Sequence, residues 1–200
     1  MRRLLDIVFA ASVLVLTGPL LIAIALIVVL SSPGPAFHRG WRAGQNGKKF
    51  RMWKFRTMVA GAERLGSSIT GRNDFRITRI GRLLRKTKLD ELPQFINVLT
   101  GDMTLVGPRP ESPEIVARYT PEQRAVLAVK PGVTGRVQLE AGEESESIPE
   151  GVDPHEYYLK HLMEPKLRRD LEYLGVRTPM SDAGIVLQTA AFVFRAFAGR

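Results

Sequence analysis

Hydrophobic and polar positions follow three different rhythms along this chain. Residues 7–30 carry no charged side chain. At about 1.5 Å of rise per residue, a helix of that length crosses a hydrocarbon core of roughly 30 Å. The run Lys49-Phe50-Arg51-Met52-Trp53-Lys54-Phe55-Arg56-Thr57-Met58 alternates charge with aromatic or sulfur side chains, the period of a short strand or extended segment. Ile77, Ile80, Leu83 and Leu84 then recur at helical spacing, with Arg76, Arg79, Arg82, Arg85, Lys86 and Lys88 between them. That spacing predicts a basic amphipathic helix. Leu92, Phe95, Ile96 and Leu99 continue in helical register, so a helix is expected to start near Asp90 with Pro93 in its first turn. Residues 157–174 read as a helix broken or kinked at Pro165, and Ser181-Asp182 as the cap of a last apolar helix through Phe197. Residues 60–74 are small, polar and glycine-rich, a loop with a short helical piece. The fold class is therefore mainly α with short β segments.

The N-terminal segment admits several readings. For a signal peptide its apolar region is too long, and no small-residue cleavage site precedes the next folded segment. A single straight span is the simpler alternative. Against it, Gly18-Pro19 stands at the middle, where proline removes a helix hydrogen bond and its ring clashes with the preceding turn. Basic residues also flank both ends: Arg2 and Arg3 before, then Arg39, Arg42, Lys48, Lys49, Arg51, Lys54 and Arg56 after. Positive charge marks the cytoplasmic side, so a re-entrant helix that leaves by the face it entered satisfies both clusters. From the residues alone, span and re-entrant helix both stand. Ser31-Ser32-Pro33-Gly34-Pro35 ends the segment in either case.

Composition narrows the partners. A chain of 200 residues with no cysteine holds one domain's worth of core and excludes disulfides and thiolate metal sites. A net charge of +9 requires an anionic partner: nucleic acid, a phosphate-bearing substrate or an anionic membrane surface. The basic and aromatic alternation near residue 50 suits nucleic acid as well as lipid headgroups. Its position directly after the apolar segment favours the membrane. The basic helix near residue 80 either packs on the core with a solvated face or lies in the membrane interface.

The candidate chemistry lies in residues 86–110. Asp90-Glu91 is an adjacent carboxylate pair at an expected helix start, where an acidic residue is ordinarily a cap. The same macrodipole favours the ionised carboxylate, a competent nucleophile toward phosphorus. A neighbouring glutamate suits a shared magnesium ion, which takes carboxylate and phosphate oxygens. Downstream, Gly107-Pro108-Arg109-Pro110 restricts the chain on both sides of an arginine whose planar fork matches phosphate oxygens. His38, His155 and His161 have no metal-ligand spacing, and no Walker-type loop, serine hydrolase motif or internal repeat is present. Residues 140–153 are acidic and glycine-rich, a solvated loop.

Taken together, Lys86-Thr87-Lys88-Leu89-Asp90-Glu91-Leu92-Pro93-Gln94, Asn97-Val98-Leu99-Thr100-Gly101-Asp102-Met103 and Val106-Gly107-Pro108-Arg109-Pro110 resemble the signature of the bacterial sugar transferases, the monotopic phosphoglycosyl transferases. Gly34-Pro35, Phe37, Arg42, Gly44 and Lys54-Phe55-Arg56-Thr57-Met58 resemble the family's opening block, and Lys130-Pro131-Gly132-Val133-Thr134-Gly135 with Gln138 its later turn. Gly40, where glutamine is usual, and Arg136, where an aromatic or aliphatic residue is usual, depart from the pattern. The resemblance implies a proline-broken re-entrant membrane helix in residues 1–32 and a cytoplasmic catalytic domain with membrane-interface helices in residues 33–200. It implies the catalytic core without the further transmembrane helices of larger members.

The implied reaction moves a phospho-sugar from a nucleotide sugar, a UDP-sugar by preference, to a membrane polyprenyl phosphate through a covalent aspartyl intermediate. The products are polyprenyl-diphospho-sugar and nucleoside monophosphate, the first membrane step of glycoconjugate assembly. In this reading Asp90 and Glu91 are catalytic and hold Mg2+. Lys54, Pro108, Arg109, Gln138 and Asp182 bind substrate, Asp182 matching the family's late aspartate. The partners are the donor, the lipid acceptor and anionic lipids at a bacterial inner membrane, with no nucleic acid and with self-association left open. The alternative is a non-enzymatic, membrane-anchored basic protein that binds lipid or nucleic acid; it accounts for charge and anchor but leaves Asp90-Glu91 and Arg109 without a task.

Overall fold

A computed structural model describes residues 2–141 and 147–197 of the chain. Its first element, α1 (Arg2–Ser31), is one helix of 30 residues. Val15 and Leu16 near its middle are 77 % and 80 % exposed, an apolar surface suited to lipid. The helical backbone continues through Gly18-Pro19, where the sequence leads one to expect a break. Proline takes out one rung of the ladder and leaves the neighbouring rungs in place. One turn earlier the Thr17 hydroxyl donates to Val13 O at 2.7 Å, a back-bond of the kind that bends helices.

Both ends of α1 rest on the same body. At the N-terminal end Arg3 donates to Val98 O (2.6 Å) and Leu99 O (3.0 Å), and Asp6 accepts from the Thr104 hydroxyl at 2.6 Å. Ala10 is buried there among Phe50, Met52, Val98 and Met103. At the other end Ile24 and Val28 are buried with Phe55 and Leu84. The Arg56 guanidinium donates to Val28 O (3.0 Å), Ser32 O (2.7 Å) and Pro33 O (2.8 Å), satisfying carbonyls that the helix end leaves open.

The expected extended run is the second strand of a hairpin. β1 (Phe37–Ala43) pairs antiparallel with β2 (Lys49–Phe55), Phe37 opposite Phe55 and Arg42 opposite Phe50. Its period of two puts Phe50 and Met52 inward, and the next inward position is Lys54, where a third apolar residue would be expected. On the outer face, guanidinium groups cover indoles: Arg39 over Trp53 at 4.1 Å and Arg51 over Trp41 at 4.8 Å.

The basic helix α2 (Arg79–Lys86) starts at Thr78, whose hydroxyl accepts from Gly81 N at 2.9 Å. It buries Leu84 and leaves Leu83 58 % exposed. The next helix does not begin at Asp90. Lys88 takes a left-handed conformation (φ 58°), Leu89–Glu91 form a 3-10 turn, and α3 (Gln94–Thr100) starts only after Pro93. Asn97, 1 % exposed, fixes α3 to β2: its side-chain oxygen accepts from Trp53 N (2.9 Å) and its amide donates to Arg51 O (2.9 Å).

β3 (Thr104–Val106) pairs in parallel with β4 (Gly132–Thr134), and so joins two stretches that are distant in sequence. Gly107 N donates to Thr134 O and Gly132 N to Pro108 O, each at 2.9 Å. A Cβ on Gly132 would lie 2.1 Å from Gly107 N, so only glycine fits at this junction.

Further helices follow, and the last of them lies against both strands of this junction. They are α4 (Pro113–Val116), α5 (Arg136–Ala141), α6 (Pro154–Tyr157), α7 (Met163–Val176) and α8 (Pro179–Phe197). A π-type turn, Tyr158–Leu162, links α6 to α7, so the irregularity precedes Pro165 instead of falling on it. Pro165 has no N–H for the i−4 carbonyl and its ring crowds that carbonyl; a wider turn relieves both. The cap of α8 also differs from expectation. Thr178 Oγ1 accepts from Ser181 N (3.1 Å) and Ser181 Oγ from Thr178 N (2.9 Å), a reciprocal cap that leaves Asp182 in the first turn. Of the acidic stretch 140–153, Glu140 belongs to α5, residues 142–146 lie outside the described residues, and Asp153 caps α6 by accepting from His155 N (2.7 Å) and Glu156 N (3.0 Å).

Candidate active site

The tight turn between α2 and α3 sets Asp90 and Glu91 under the hairpin, within reach of Lys54. Lys54 Nζ donates to Glu91 Oε1 at 2.7 Å and lies 3.9 Å from Asp90 Oδ2. From the β3–β4 junction, Arg109 meets the same glutamate with both arms of its fork, Nη1 to Oε2 at 3.2 Å and Nη2 to Oε1 at 2.6 Å. Lys54, Asp90, Glu91 and Arg109, expected from sequence to act together, are thus in contact. Asp90 caps no helix: no side-chain cap bond is formed at this turn or at α3, and its Oδ1 is buried without a hydrogen-bond partner.

The two neighbouring carboxylates have opposite electrostatics. Asp90 is 4 % exposed, and burial raises its pKa above the ordinary 3.8; Lys54 opposes this, and Glu91 adds to it. Burial acts on Glu91 in the same direction, but Arg109 and Lys54 outweigh it and hold Glu91 well below the usual carboxylate range. Lys54 is pushed down by its own burial, against the pull of Glu91. Glu91 is therefore firmly ionised and doubly paired, and Asp90 is a desolvated and more basic oxygen beside it.

Glu91 and Arg109 open onto a cavity of about 970 Å³. Part of its wall is apolar, from Phe9 and Val13 of α1, Phe95 of α3, and Val186 and Val193 of α8. Another part is polar, with Gln138 of α5 and Lys166, Arg169 and Asp170 of α7. Of the residues expected from sequence, Gln138 lines the cavity with Glu91 and Arg109; Lys54, Asp90, Pro108 and Asp182 are not on its wall. Pro108 serves the strand junction described above. Asp182 accepts from Tyr173 Oη (2.7 Å) and Arg177 Nε (2.8 Å), and Arg177 in turn donates to Val106 O at 2.7 Å.

A second charged cluster has no counterpart in the sequence reading. Glu111 Oε1 accepts short hydrogen bonds from Tyr158 Oη and Lys166 Nζ, and Lys166 also donates to Tyr158 Oη at 3.2 Å. Tyr158 is fully buried and Lys166 is 8 % exposed. Arg42 lies between the clusters: burial lowers its pKa, and it feels Glu111, Arg109 and Glu91 together. The signal that could have found this cluster is Glu111, two positions after the proline-flanked Arg109; its partners, 47 and 55 residues away, carry no local mark.

Carboxylates and cations at the edge of a cavity, with an apolar helix on one wall, suit a phosphate-bearing ligand beside a lipid phase. The chain belongs to the bacterial sugar transferase family, whose model it matches over residues 1–196. It is similar to the UDP-glucose:undecaprenyl-phosphate glucose-1-phosphate transferase of Escherichia coli, 39 % identical over 205 residues that cover 100 % of this chain and 41 % of that protein. It is 38 % identical to the protein of the same name from Caulobacter vibrioides over 191 residues, covering 94 % of this chain and 67 % of the relative. It is 33 % identical to the UDP-N-acetylgalactosamine-undecaprenyl-phosphate N-acetylgalactosaminephosphotransferase of Aeromonas hydrophila over 202 residues, 100 % of this chain and 45 % of the relative. The chain thus spans less than half the length of the first and third of these curated relatives.

Proposed function

We propose that this chain transfers a phospho-sugar from a UDP-sugar to a membrane polyprenyl phosphate, in two displacements at phosphorus with Asp90 as the intermediate carrier. The observation that carries this reading is the buried Asp90 Oδ1 without a partner, next to a glutamate held by two cationic side chains, Lys54 and Arg109. In the first displacement an Asp90 oxygen bonds to the β-phosphorus and the bond to the bridging oxygen breaks. Nucleoside monophosphate leaves with that oxygen and its electron pair. In the second, an oxygen of the polyprenyl phosphate bonds to the same phosphorus and the Asp90 carboxylate departs unchanged. Desolvation raises the basicity of Asp90, which strengthens it as a nucleophile once ionised. Arg109 and Lys54 meet the donor's phosphates; as they do so they leave Glu91, and Asp90 becomes accessible.

The residues present fit magnesium. Asp90 and Glu91 are adjacent oxygen donors, one with an unpartnered buried oxygen, and magnesium prefers one or two carboxylates together with substrate phosphates. Asp90 and Glu91 would hold it. When bound, the ion offsets charge that develops on the transferred phosphoryl group.

The membrane arrangement we propose is monotopic, with α1 re-entrant and the catalytic body on the cytoplasmic side of a bacterial inner membrane. It is supported by the contacts of both α1 ends with one body, whereas a straight span separates its ends by the bilayer thickness. Single cysteines near positions 2 and 39 should both be shielded from an impermeant reagent in intact cells; labelling of one alone would establish a span.

The reaction is tested by release of nucleoside monophosphate from a panel of nucleotide sugars, with and without polyprenyl phosphate. Release before acceptor is added, with ping-pong kinetics, is the expected result. Strict dependence of release on both substrates would favour direct transfer between them. A basic binding protein would release nothing and would bind nucleic acid with steep salt dependence.

A further inference from the structure

Arg42 stands beside Arg109 and Glu91 without a task in either displacement. β1 carries it there: Ala43 N donates to Glu111 O at 2.9 Å, so the end of the strand runs beside the segment that holds Arg109. Burial lowers the pKa of Arg42, and the charges that act on it are Glu111, Arg109 and Glu91. Its guanidinium is nonetheless little used. Among the described residues its one hydrogen bond is local, Nη1 to Trp41 O at 2.9 Å, and it forms no salt bridge. Its other nitrogens are not among the buried atoms that lack a partner, so they reach solvent. A planar fork of five N–H donors is thus left largely open.

The hairpin face around it suits an anion. His38, Gly40 and Arg42 pair with Lys54, Met52 and Phe50, and cross-strand partners share a face. A Cβ on Gly40 would lie 2.9 Å from His38 Nε2 and 3.4 Å from Arg42 Nη1, so imidazole and guanidinium close over the glycine. Below them, Lys54 and Arg109 share a single carboxylate, that of Glu91. Besides burial, Arg109 pushes down the pKa of both Arg42 and Lys54, the mark of crowded cations. An incoming polyanion relieves that crowding. The charges that act on Asp90, by contrast, are Lys54, Glu91, Arg85 and Lys88. Lys54 therefore stands next to the nucleophile, and Arg42 one step outward, past the Glu91–Arg109 pair. A β-phosphate at Asp90 puts the next phosphate of a nucleoside diphosphate on that outward side.

We propose that Arg42 binds the α-phosphate of the donor, with the His38 ring nitrogen beside it, and that the nucleoside monophosphate leaves from this hairpin face. The proposal rests on the reading of Asp90 as the nucleophile at the β-phosphorus. When the bond from that phosphorus to the bridging oxygen breaks, the oxygen keeps the electron pair and the α-phosphate gains a negative charge. A guanidinium meets that charge with paired hydrogen bonds. Because the interaction strengthens as the charge develops, it lowers the barrier to the first displacement. In the second displacement the α-phosphate has gone, and Arg42 has nothing to bind.

The test uses the full chain in detergent micelles, with Arg42→Gln and Arg42→Lys. Binding of UDP, UMP and uridine is measured first, without chemistry. Arg42→Gln should weaken UDP and UMP alike by about tenfold or more, and uridine by less than about twofold. Arg42→Lys should recover part of that affinity, since the charge stays and the fork is lost. The half-reactions are then separated. In Arg42→Gln, monophosphate release from the donor should slow by about tenfold or more, whereas discharge of the loaded enzyme by polyprenyl phosphate should stay within about twofold. An unchanged affinity for UMP would overturn the assignment. So would a loss confined to discharge, which would give Arg42 to the acceptor's phosphate. Equal losses for uridine, UMP and UDP would make Arg42 a structural residue of the hairpin and overturn it too. If Arg42→Gln weakens UMP as expected but no loaded enzyme forms from any nucleotide sugar, the two-displacement reading fails while the phosphate site on the hairpin stands. An unmodified chain that binds neither UDP nor UMP would overturn both.

Discussion

The turn at Asp90–Glu91 and the start of α8 at Asp182 contain the same ingredients: an acidic residue in the first turn of a helical element, an arginine paired to it, and a further polar partner. In the first, Glu91 takes up both Lys54 and Arg109, and its neighbour Asp90 is left with a buried oxygen that nothing satisfies. In the second, Asp182 is supplied by Tyr173 and Arg177, with Arg2 3.8 Å away, and Thr178 does the capping. The difference teaches that acidity at a helix start does not mark chemistry. Unmet hydrogen-bonding capacity, next to a residue that lines the cavity, is what sets Asp90 apart.

The sharpest way to break the comparison is to neutralise each aspartate. Asp90→Asn should lower turnover by roughly 10⁴-fold or more, as loss of a nucleophile does, while the protein remains folded. It should also raise Tm at neutral pH. The folded pKa of Asp90 lies above its ordinary 3.8, so its ionised form opposes folding above that folded value, and asparagine removes the penalty. Glu91 has the opposite sign. Its folded pKa lies below the ordinary 4.5, so its contribution to stability is fully present above 4.5 and is lost as pH falls through the depressed folded value. Glu91→Gln should therefore lower Tm at pH 7, by an amount that shrinks toward acidic pH. A Tm profile that moves the other way in either variant would mean that the two environments are assigned wrongly.

A smaller effect is expected at Arg109. Lysine keeps the charge but cannot make two parallel bonds to Glu91 or to a phosphate, so Arg109→Lys should reduce kcat/KM by about 10²-fold. Rates equal to the unmodified chain would remove Arg109 from the site. Smallest is Asp182→Asn, which should cost on the order of 1 kcal/mol of stability and leave KM for the donor unchanged. A raised KM there would return Asp182 to the donor site and dissolve the contrast between the two turns.

Much of the frame was legible before any coordinates. The alternation over residues 49–58 became β2 and the apolar repeat with interleaved arginines became α2, whereas the pairing of β3 with β4 was not read from the motifs that hold Gly107 and Gly132. The turn itself was not legible. A helix cap is inferred from residues two or three apart, whereas the surroundings of Asp90 depend on Lys88 taking a left-handed conformation and on Lys54, in a strand far upstream. The Glu111–Tyr158–Lys166 cluster was hidden for the same reason, and the early turn before Pro165 hid it further: a proline announces a disturbance but not which side of it the helix will widen. Gln138 was expected from its motif, but nothing in the sequence says that its side-chain oxygen is buried without a partner.

The central claim is that Asp90 carries the phospho-sugar between donor and acceptor. It is tested most directly by incubating the purified chain with the nucleotide sugar and magnesium, without polyprenyl phosphate, and analysing the peptide that contains Asp90 by mass spectrometry. The account predicts the mass of one phospho-sugar added at Asp90, appearing with the first equivalent of nucleoside monophosphate and discharged when polyprenyl phosphate is supplied. An enzyme that turns over normally with both substrates, yet never carries that mass under trapping conditions, would contradict it.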